Sequence, residues 1–165
     1  MKVLITGANG FVGKNLAVHL KALKDIEVLC SFRDDDPASL VRKVAQVDFI
    51  FHLAGVNRPK DVEEFKAGNT DLTEQLADAI VASGRKIPLV YTSSTQVAQD
   101  NAYGLSKLGA EEVLTRLAAI HGSNVYLFRL PNVFGKWARP NYISAVATFC
   151  HNIARGLPIQ INDPS

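Results

Sequence analysis

Three side chains of this sequence have the types and the order needed to pass a proton to a carbonyl: Ser94, Tyr103 and Lys107. A free phenol, with a pKa of about 10, is almost wholly neutral at pH 7 and exchanges protons poorly with an alcohol. A fixed ammonium nearby stabilises the phenolate and draws that pKa toward the working pH. In Tyr103-Gly104-Leu105-Ser106-Lys107 the i, i+4 spacing puts phenol and ammonium side by side if a helix begins near Tyr103. Tyr103 would then protonate a carbonyl oxygen as hydride arrives, and Ser94 would hydrogen-bond that same oxygen. Taken alone, Tyr-x-x-x-Lys also describes a packed ring and a solvated lysine, so its meaning depends on the elements around it.

Those elements begin at the N-terminus. Residues Met1 to Gly13 read as a strand, a tight turn and a helix start, with an amphipathic continuation through Phe11, Val12, Leu16, His19, Leu20 and Leu23. Gly7 can take turn dihedrals barred to other residues, Gly10 removes a side chain where phosphate must approach, and Gly13 lets helix and strand pack closely. A dinucleotide pyrophosphate then meets free amides at the positive end of the helix dipole. Such turns also occur without ligand, but this one sits in a strand-helix-strand unit, the context the motif requires. Gly7, Asn9, Gly10, Phe11, Val12 and Gly13 are therefore candidate cofactor-binding residues.

The second strand, Glu27 to Phe32, should end beside the adenosine ribose. NAD usually calls for an acidic residue there; this chain offers Ser31 and Arg33 instead, a hydroxyl and a guanidinium suited to a 2′-phosphate. NADPH is favoured over NADH, against the alternative that Arg33 merely neutralises Asp34, Asp35 and Asp36. A short helix is expected over Asp36 to Val44, with Pro37 in its first turn. Asp48 to Gly55 has the apolar run of a central parallel strand. Its tip, Leu53-Ala54-Gly55, is small where a cofactor would cross, and His52 reads as a packed, hydrogen-bonded histidine rather than a base. Arg58 in the following loop either holds a substrate diphosphate or is solvated.

A long helix is expected from Val62 to Ser83, with Phe65, Leu72, Leu76, Ala79 and Ile80 inward and Gly84 closing it. A fourth strand, Ile87 to Ser94, ends in Thr92, Ser93 and Ser94, and the carboxyl tips of parallel strands face the ligand crevice. After a fifth strand, Asn124 to Leu130, come Lys136 and Trp137, a cation and an indole suited to a nucleotide-sugar diphosphate and base, though a core Trp is equally ordinary. A helix over Tyr142 to Arg155, with Val146, Phe149, Cys150 and Ile153 inward, and a strand starting at Leu157 to Asn162 complete the reading.

The glycine spacing Gly7-x-x-Gly10-x-x-Gly13, the Tyr103/Lys107 pair and Arg129-x-x-Asn132-x-Phe134-Gly135 together resemble the extended short-chain dehydrogenase/reductase superfamily, and the resemblance covers essentially the whole chain. It implies an α/β fold with a Rossmann-like doubly wound parallel sheet. It also implies that Lys107 holds the nicotinamide ribose, that Asn69 and Thr92 contact the cofactor, that Pro131 and Val133 flank the nicotinamide, and that Asn132 reaches substrate. Three departures stand out. The stretch between Arg33 and Asp48 is too short for the usual additional strand, so a shortened sheet with the second strand near or at its edge is expected. Thr95-Gln96 replaces the acidic pair that dehydration uses. Ser94 and Tyr103 are closer in sequence than in typical epimerases, so the loop over the substrate must be small.

Gly7 to Leu16, His52 to Pro59, Gln99 to Asn101, Tyr103 to Lys107 and Asn132 to Asn141 are similar to the reductase domain of bacterial capsular-polysaccharide enzymes that make the UDP-N-acetyl-L-fucosamine precursor. That resemblance implies NADPH-dependent reduction of a 4-keto-6-deoxy UDP-amino sugar to UDP-2-acetamido-2,6-dideoxy-L-talose, with a separate cupin domain that this sequence lacks. The chain is then one cofactor-binding domain, residues 1–165, in which 137–165 begins an incomplete substrate lobe, a fragment or truncated product. Rival readings are a nucleotide-sugar epimerase that retains NAD and a dinucleotide-binding module without turnover. A homodimer through the long helices after the third and fourth strands is implied by analogy.

Composition sets outer bounds. With 165 residues, 47% of them hydrophobic, the chain can bury one substantial core. A net charge of +2, with no basic stripe, gives no reason to propose nucleic acid. Cys30 and Cys150 lack metal-ligand spacing and read as buried thiols of a reducing compartment, hence the cytoplasm, and no metal site is expected. No apolar run approaches the ~20 residues of a membrane span, and no signal-peptide pattern opens the chain.

Overall fold

The computed structural model describes residues 1–142 and 144–161. It divides into two compact units, Met1–Leu130 and Pro131–Ser165, and the expected start of the lobe at 137 falls inside the second.

The first unit carries a five-stranded parallel sheet built from β1 (Lys2–Thr6), β2 (Glu27–Ser31), β3 (Phe49–His52), β4 (Leu89–Ser94) and β5 (Val125–Leu130), in the order β2-β1-β3-β4-β5. The second strand lies at the edge, as the short connection demanded. The chain leaves β1 toward one edge and returns to β3 on its other side, which opens a crevice at the carboxyl ends of those two strands. Register lines up the tips: Thr6 pairs with Ser31 on one side and with His52 on the other, and His52 pairs with Tyr91.

Helices cover both faces. α1 (Phe11–Lys21) supplies Leu16, Ala17 and Leu20 to a layer on Val3 and Ile5. The larger layer joins Leu4, Ile50, Leu89 and Tyr91 to Val44 of α2 (Pro37–Val44), to Leu76 and Ile80, and to Leu114. α2 starts as the sequence implied: Asp36 caps it by accepting from the Ala38 amide at 3.1 Å, and Pro37 needs no donor there. The long helix before β4 is not uniform. It runs as α3 (Glu63–Phe65), a π-helical turn (Lys66–Asp71) and α4 (Leu72–Ala82), and Gly84 ends it at φ +65°. α5 (Ala102–His121) is capped by Asn101, whose Oδ1 accepts from the Gly104 amide at 2.8 Å, and Gly122 ends it in the left-handed region.

The second unit departs from expectation. Its helix, α6 (Ala145–Ile153), is shorter than the expected Tyr142 to Arg155 and buries none of its residues, with Val146, Cys150 and Ile153 exposed. Among the described residues this unit holds no strand to form a second layer, so the apolar stripe has no partner within it. Leu157 to Ile161 is irregular rather than the start of a strand, and Asn162 lies outside the described residues. The thiols also differ from expectation: Cys30 is half-buried and Cys150 exposed, both free.

Candidate active site

The glycine turn is shaped by close backbone approach. Gly7 sits at φ +68° and donates its amide to Ser31 O at 3.1 Å. A Cβ on Gly7 would lie 2.7 Å from the Ala54 backbone, and one on Gly13 would lie 2.3 Å from Gly7 O. The strand tips and the start of α1 can meet only with hydrogen at both positions. Gly10 caps α1 with no side-chain acceptor, so the first-turn amides of Phe11, Val12 and Gly13 point from a helix start that no side chain covers.

The turn before α1 borders a groove of about 500 Å³, lined among others by Thr6, Gly7, Asn9, Gly10, Ser31, Arg33, Leu53, Ala54 and Gly55, whereas Phe11, Val12 and Gly13 are not among its lining residues. Eight of the expected cofactor residues thus share one concavity across β1, β2 and β3. Arg33 does not neutralise the three aspartates that follow it. Lys43 takes Asp35 at 2.6 Å, Arg42 takes Asp36 at 3.4 Å, and Arg33 reaches across to Glu64 at 3.4 Å. Lys43 holds the Asp35 carboxyl below its ordinary value. Arg58 stands exposed in its loop and is not among the lining residues.

Behind Gly55 lies the second cluster. A Cβ there would meet Asn69 Oδ1 at 2.7 Å and Lys107 Nζ at 3.5 Å, so this glycine is the thin wall between groove and ammonium. Lys107 is 5% exposed, donates to Thr92 O at 2.7 Å and lies 4.4 Å from the centre of the Tyr91 ring. Burial lowers its pKa to about 8, with Glu111 opposing. Tyr103 packs its ring at 5.7 Å from Phe65, next to the groove-lining Glu64. Burial raises its phenol above the ordinary value, with Ser94 opposing.

This corrects one expectation. The Tyr103 phenol stands above its ordinary pKa rather than below it, and the Lys107 ammonium is bonded to Thr92 O and lies over the Tyr91 ring. The phenol is accordingly held protonated, the form a proton donor needs.

Asn69 also differs from the expected cofactor contact. It is buried, and both ends of its amide are engaged within the chain: Oδ1 accepts from the Val56 amide at 3.0 Å, and Nδ2 donates to Val56 O and Ser106 Oγ at 2.9 Å each. Ser106 in turn donates to Tyr103 O at 2.8 Å. The π turn thus clamps the loop after β3 to the first turn of α5. His52 is packed as expected, with both ring nitrogens bonded, to Thr6 Oγ1 at 2.7 Å and Thr73 Oγ1 at 2.9 Å.

Pro131, Asn132, Val133, Lys136 and Trp137 belong to the second unit. There the Lys136 ammonium lies 4.5 Å from the Trp137 ring centre, and Trp137 itself takes φ +68°. Three contributors escaped the sequence reading. Glu111 continues the four-residue spacing beyond Lys107 and could have been found from it. Thr6 and Thr73 could not, because their role exists only once distant strands and helices meet.

The model of the NAD dependent epimerase/dehydratase family matches residues 3–164. The chain belongs to that family. The family is by description NAD-dependent, which agrees with the groove over the strand tips and with a Rossmann-like sheet. A UDP-2-acetamido-2,6-beta-L-arabino-hexul-4-ose reductase of Pseudomonas aeruginosa is 61% identical over 165 residues, which is all of this chain and 44% of that protein. The crystal structure of the capsular polysaccharide assembling protein CapF from Staphylococcus aureus superposes with a TM-score of 0.86 at 44% identity, over 99% of this chain and 44% of that one. The chain therefore spans under half the length of these two relatives. A UDP-glucuronic acid 4-epimerase from Bacillus cereus shares the fold, with a TM-score of 0.81 at 20% identity over 98% of this chain and 66% of that one.

Proposed function

We propose that this epimerase/dehydratase-family chain is the cofactor-binding and proton-transfer portion of an NADPH-dependent reductase, acting on a 4-keto-6-deoxy UDP-N-acetylamino sugar in capsule or O-antigen polysaccharide biosynthesis. The observation that carries the reading is the 61% identity to the hexulose reductase along the entire chain. The residues present suit a dinucleotide: a turn that only glycine at 7 and 13 lets pack so tightly against the tip of β3 and against α1, a helix start with no side-chain cap, and Ser31 with Arg33 at the ribose end. When bound, the cofactor supplies the hydride.

The chain's own part is binding and proton transfer. The amides at the start of α1 hold the pyrophosphate, and Arg33 leaves Glu64 for the 2′-phosphate, exchanging a solvated ion pair for a doubly charged, fork-matched partner. Ser94 donates to the carbonyl oxygen of the sugar and Tyr103 gives that oxygen its proton, completing the hydroxyl. Lys107, one turn along, then stabilises the resulting phenolate and holds the nicotinamide ribose. Leu53, Ala54 and Gly55 form the floor, Asn69 and Thr92 fix Val56 and Lys107, and Arg58, Asn132, Lys136 and Trp137 with Pro131 and Val133 serve the sugar nucleotide and nicotinamide. No leaving hydroxyl is protonated, in keeping with Thr95-Gln96 after Ser94.

A homodimer through α4 and α5 belongs to the same proposal. That face exposes Ile120 and Val81 beside Asp78 and the Glu74–Arg116 ion pair at 3.9 Å, an apolar patch flanked by both charge signs, as a two-fold contact requires. Free Cys30 and Cys150 suit the reducing cytoplasm. Among the described residues no helix is long and apolar enough to cross a membrane.

The deciding assay follows purified protein with the UDP-4-keto sugar and NADPH. One NADPH oxidised per sugar reduced supports the reductase; sugar interconversion without net oxidation would replace it with the epimerase reading, and binding without either with the non-catalytic one.

A further inference from the structure

α5 carries another charged residue on the face that presents Tyr103 and Lys107. Glu111 follows Lys107 by four residues, as Lys107 follows Tyr103, so the three stand at successive turns. Glu111 is 4% exposed, and a carboxylate so far from water is costly without compensation. Arg129 of β5 provides part of it through a fork, Nε to Oε1 at 3.0 Å and Nη2 to Oε2 at 2.7 Å. The Arg129 side chain is itself 55% exposed, so the pair is a buried anion with its cation on the solvent side.

One helical turn beyond Lys107, the carboxylate is coupled electrostatically to the Lys107 ammonium and to the Tyr91 phenol. The groups around Lys107 from other elements are Tyr91 and the Thr92 carbonyl of β4 and His52 of β3, while Tyr103 and Glu111 share its helix. Tyr91 and Tyr103 are neutral, and burial keeps His52 neutral with a pKa of about 3. Glu111 is therefore the one anion among these neighbours.

We propose that Glu111 is a positioning residue for the proton-transfer site: it is the buried counter-charge that keeps Lys107 in the ammonium form, and Arg129 sets how strongly that charge is felt. Burial works against the ammonium; the Thr92 carbonyl and the Tyr91 ring face contact it, and Glu111 supplies the opposite charge that works for it. The consequence for rate rests on the role given to Lys107 above, whereas the charge coupling does not.

The test is an NMR titration of isotope-labelled lysine side chains, with the Lys107 signal assigned by its loss in Lys107→Arg. Glu111→Gln is expected to lower the Lys107 midpoint by about one pH unit, since an opposite charge has been removed. Arg129→Gln, which leaves the carboxylate and removes its screening cation, is expected to raise it. Opposite directions are something a merely structural disturbance does not produce. Unchanged midpoints, or shifts of the same sign, would overturn the proposal. Where Glu111→Gln does not fold, the surface-directed Arg129→Gln decides alone, and an unchanged or lowered midpoint overturns it.

The alkaline limb of NADPH-dependent turnover should move in the same two directions, with Glu111→Asp nearer the parent than Glu111→Gln. If the midpoints move and no turnover on the sugar exists to follow them, the reductase reading fails and the coupling stands. If Tyr103→Phe and Lys107→Met abolish turnover while both midpoints stay fixed, the reverse holds.

Discussion

Thr6 and His52 share a 2.7 Å hydrogen bond between Oγ1 and Nδ1 across the first and third strands. Its polarity is set by Thr73. Thr73 spends its proton on Asn69 O at 2.6 Å, so its oxygen accepts from His52 Nε2–H, which leaves Nδ1 to accept from Thr6. Thr6 Oγ1 in turn accepts from the Ala54 amide at 3.2 Å. A directed chain thus runs from the groove floor at Ala54 through His52 to the π turn, and it requires a neutral imidazole.

Acid should therefore destabilise the protein through His52. Burial depresses its pKa from 6.5 to about 3, so between those values the unfolded chain binds the proton and the native one does not. This contribution is complete above pH 6.5 and shrinks as pH falls toward 3, by about 2–3 kcal/mol between pH 7 and 4.5. His52→Gln offers one acceptor and one donor without titrating. Urea unfolding at pH 7.5, 6 and 4.5 should give a shallower pH slope for that variant; parallel slopes would remove His52 as the acid-sensitive element.

Loss of the Tyr103 hydroxyl should cost about 10³-fold in turnover and loss of the Ser94 hydroxyl about 10²-fold, with NADPH affinity nearly unchanged in both. Steady-state rates beside a fluorescence titration check this. Tyr103→Phe at the parental rate would take the phenol out of the mechanism.

Arg33→Ala should weaken NADPH roughly 10- to 100-fold, the worth of a charge-assisted bond, and leave NADH as before. Glu64→Gln frees Arg33 from its resting partner and should tighten NADPH only. Equal losses for both dinucleotides after Arg33→Ala would end the case for 2′-phosphate recognition.

Gly13→Ala should be far more damaging than Gly10→Ala to folding. The added carbon meets backbone at 2.3 Å in the first case and at 3.1 Å in the second. A thermal melt should show a loss of at least about 3 kcal/mol for Gly13→Ala, an overpacking penalty against atoms that cannot rotate away. Gly10→Ala should keep most of its stability and lose dinucleotide binding.

Ile120 is 81% exposed on the α4–α5 face. If two copies meet there, Ile120→Asp should convert the dimer to monomer in light scattering coupled to size exclusion, without lowering the melting temperature of the monomer. A parent that is monomeric at all concentrations would dispose of this interface.

The five strands, the glycine turn and the start of α5 were legible because each is written locally, in an apolar run, a backbone requirement or the four-residue spacing of Tyr103 and Lys107. The edge position of β2 followed from simple chain length between Arg33 and Asp48. What escaped was settled by partners distant in sequence. Arg33 had three neighbouring acids, yet Lys43 and Arg42 on α2 took Asp35 and Asp36 and left it to Glu64. The orientation of Lys107 depended on Thr92 and Tyr91, and the apolar stripe of α6 promised a layer that the described residues of its own unit do not contain. The π turn leaves no trace in hydrophobic periodicity, since one surplus residue shifts the phase once and the pattern resumes.

That surplus residue has a mechanical corollary. Each residue of a helix advances the azimuth by about 100°, so deleting one between Lys66 and Asp71 would rewind the wide turn into ordinary helix and swing everything upstream by about that angle. Phe65 would come away from Tyr103 and Glu64 from Arg33, while Leu72 to Ala82 kept their seating on the sheet. A single lost codon could thus disconnect both ends of the crevice and leave the hydrophobic interior untouched.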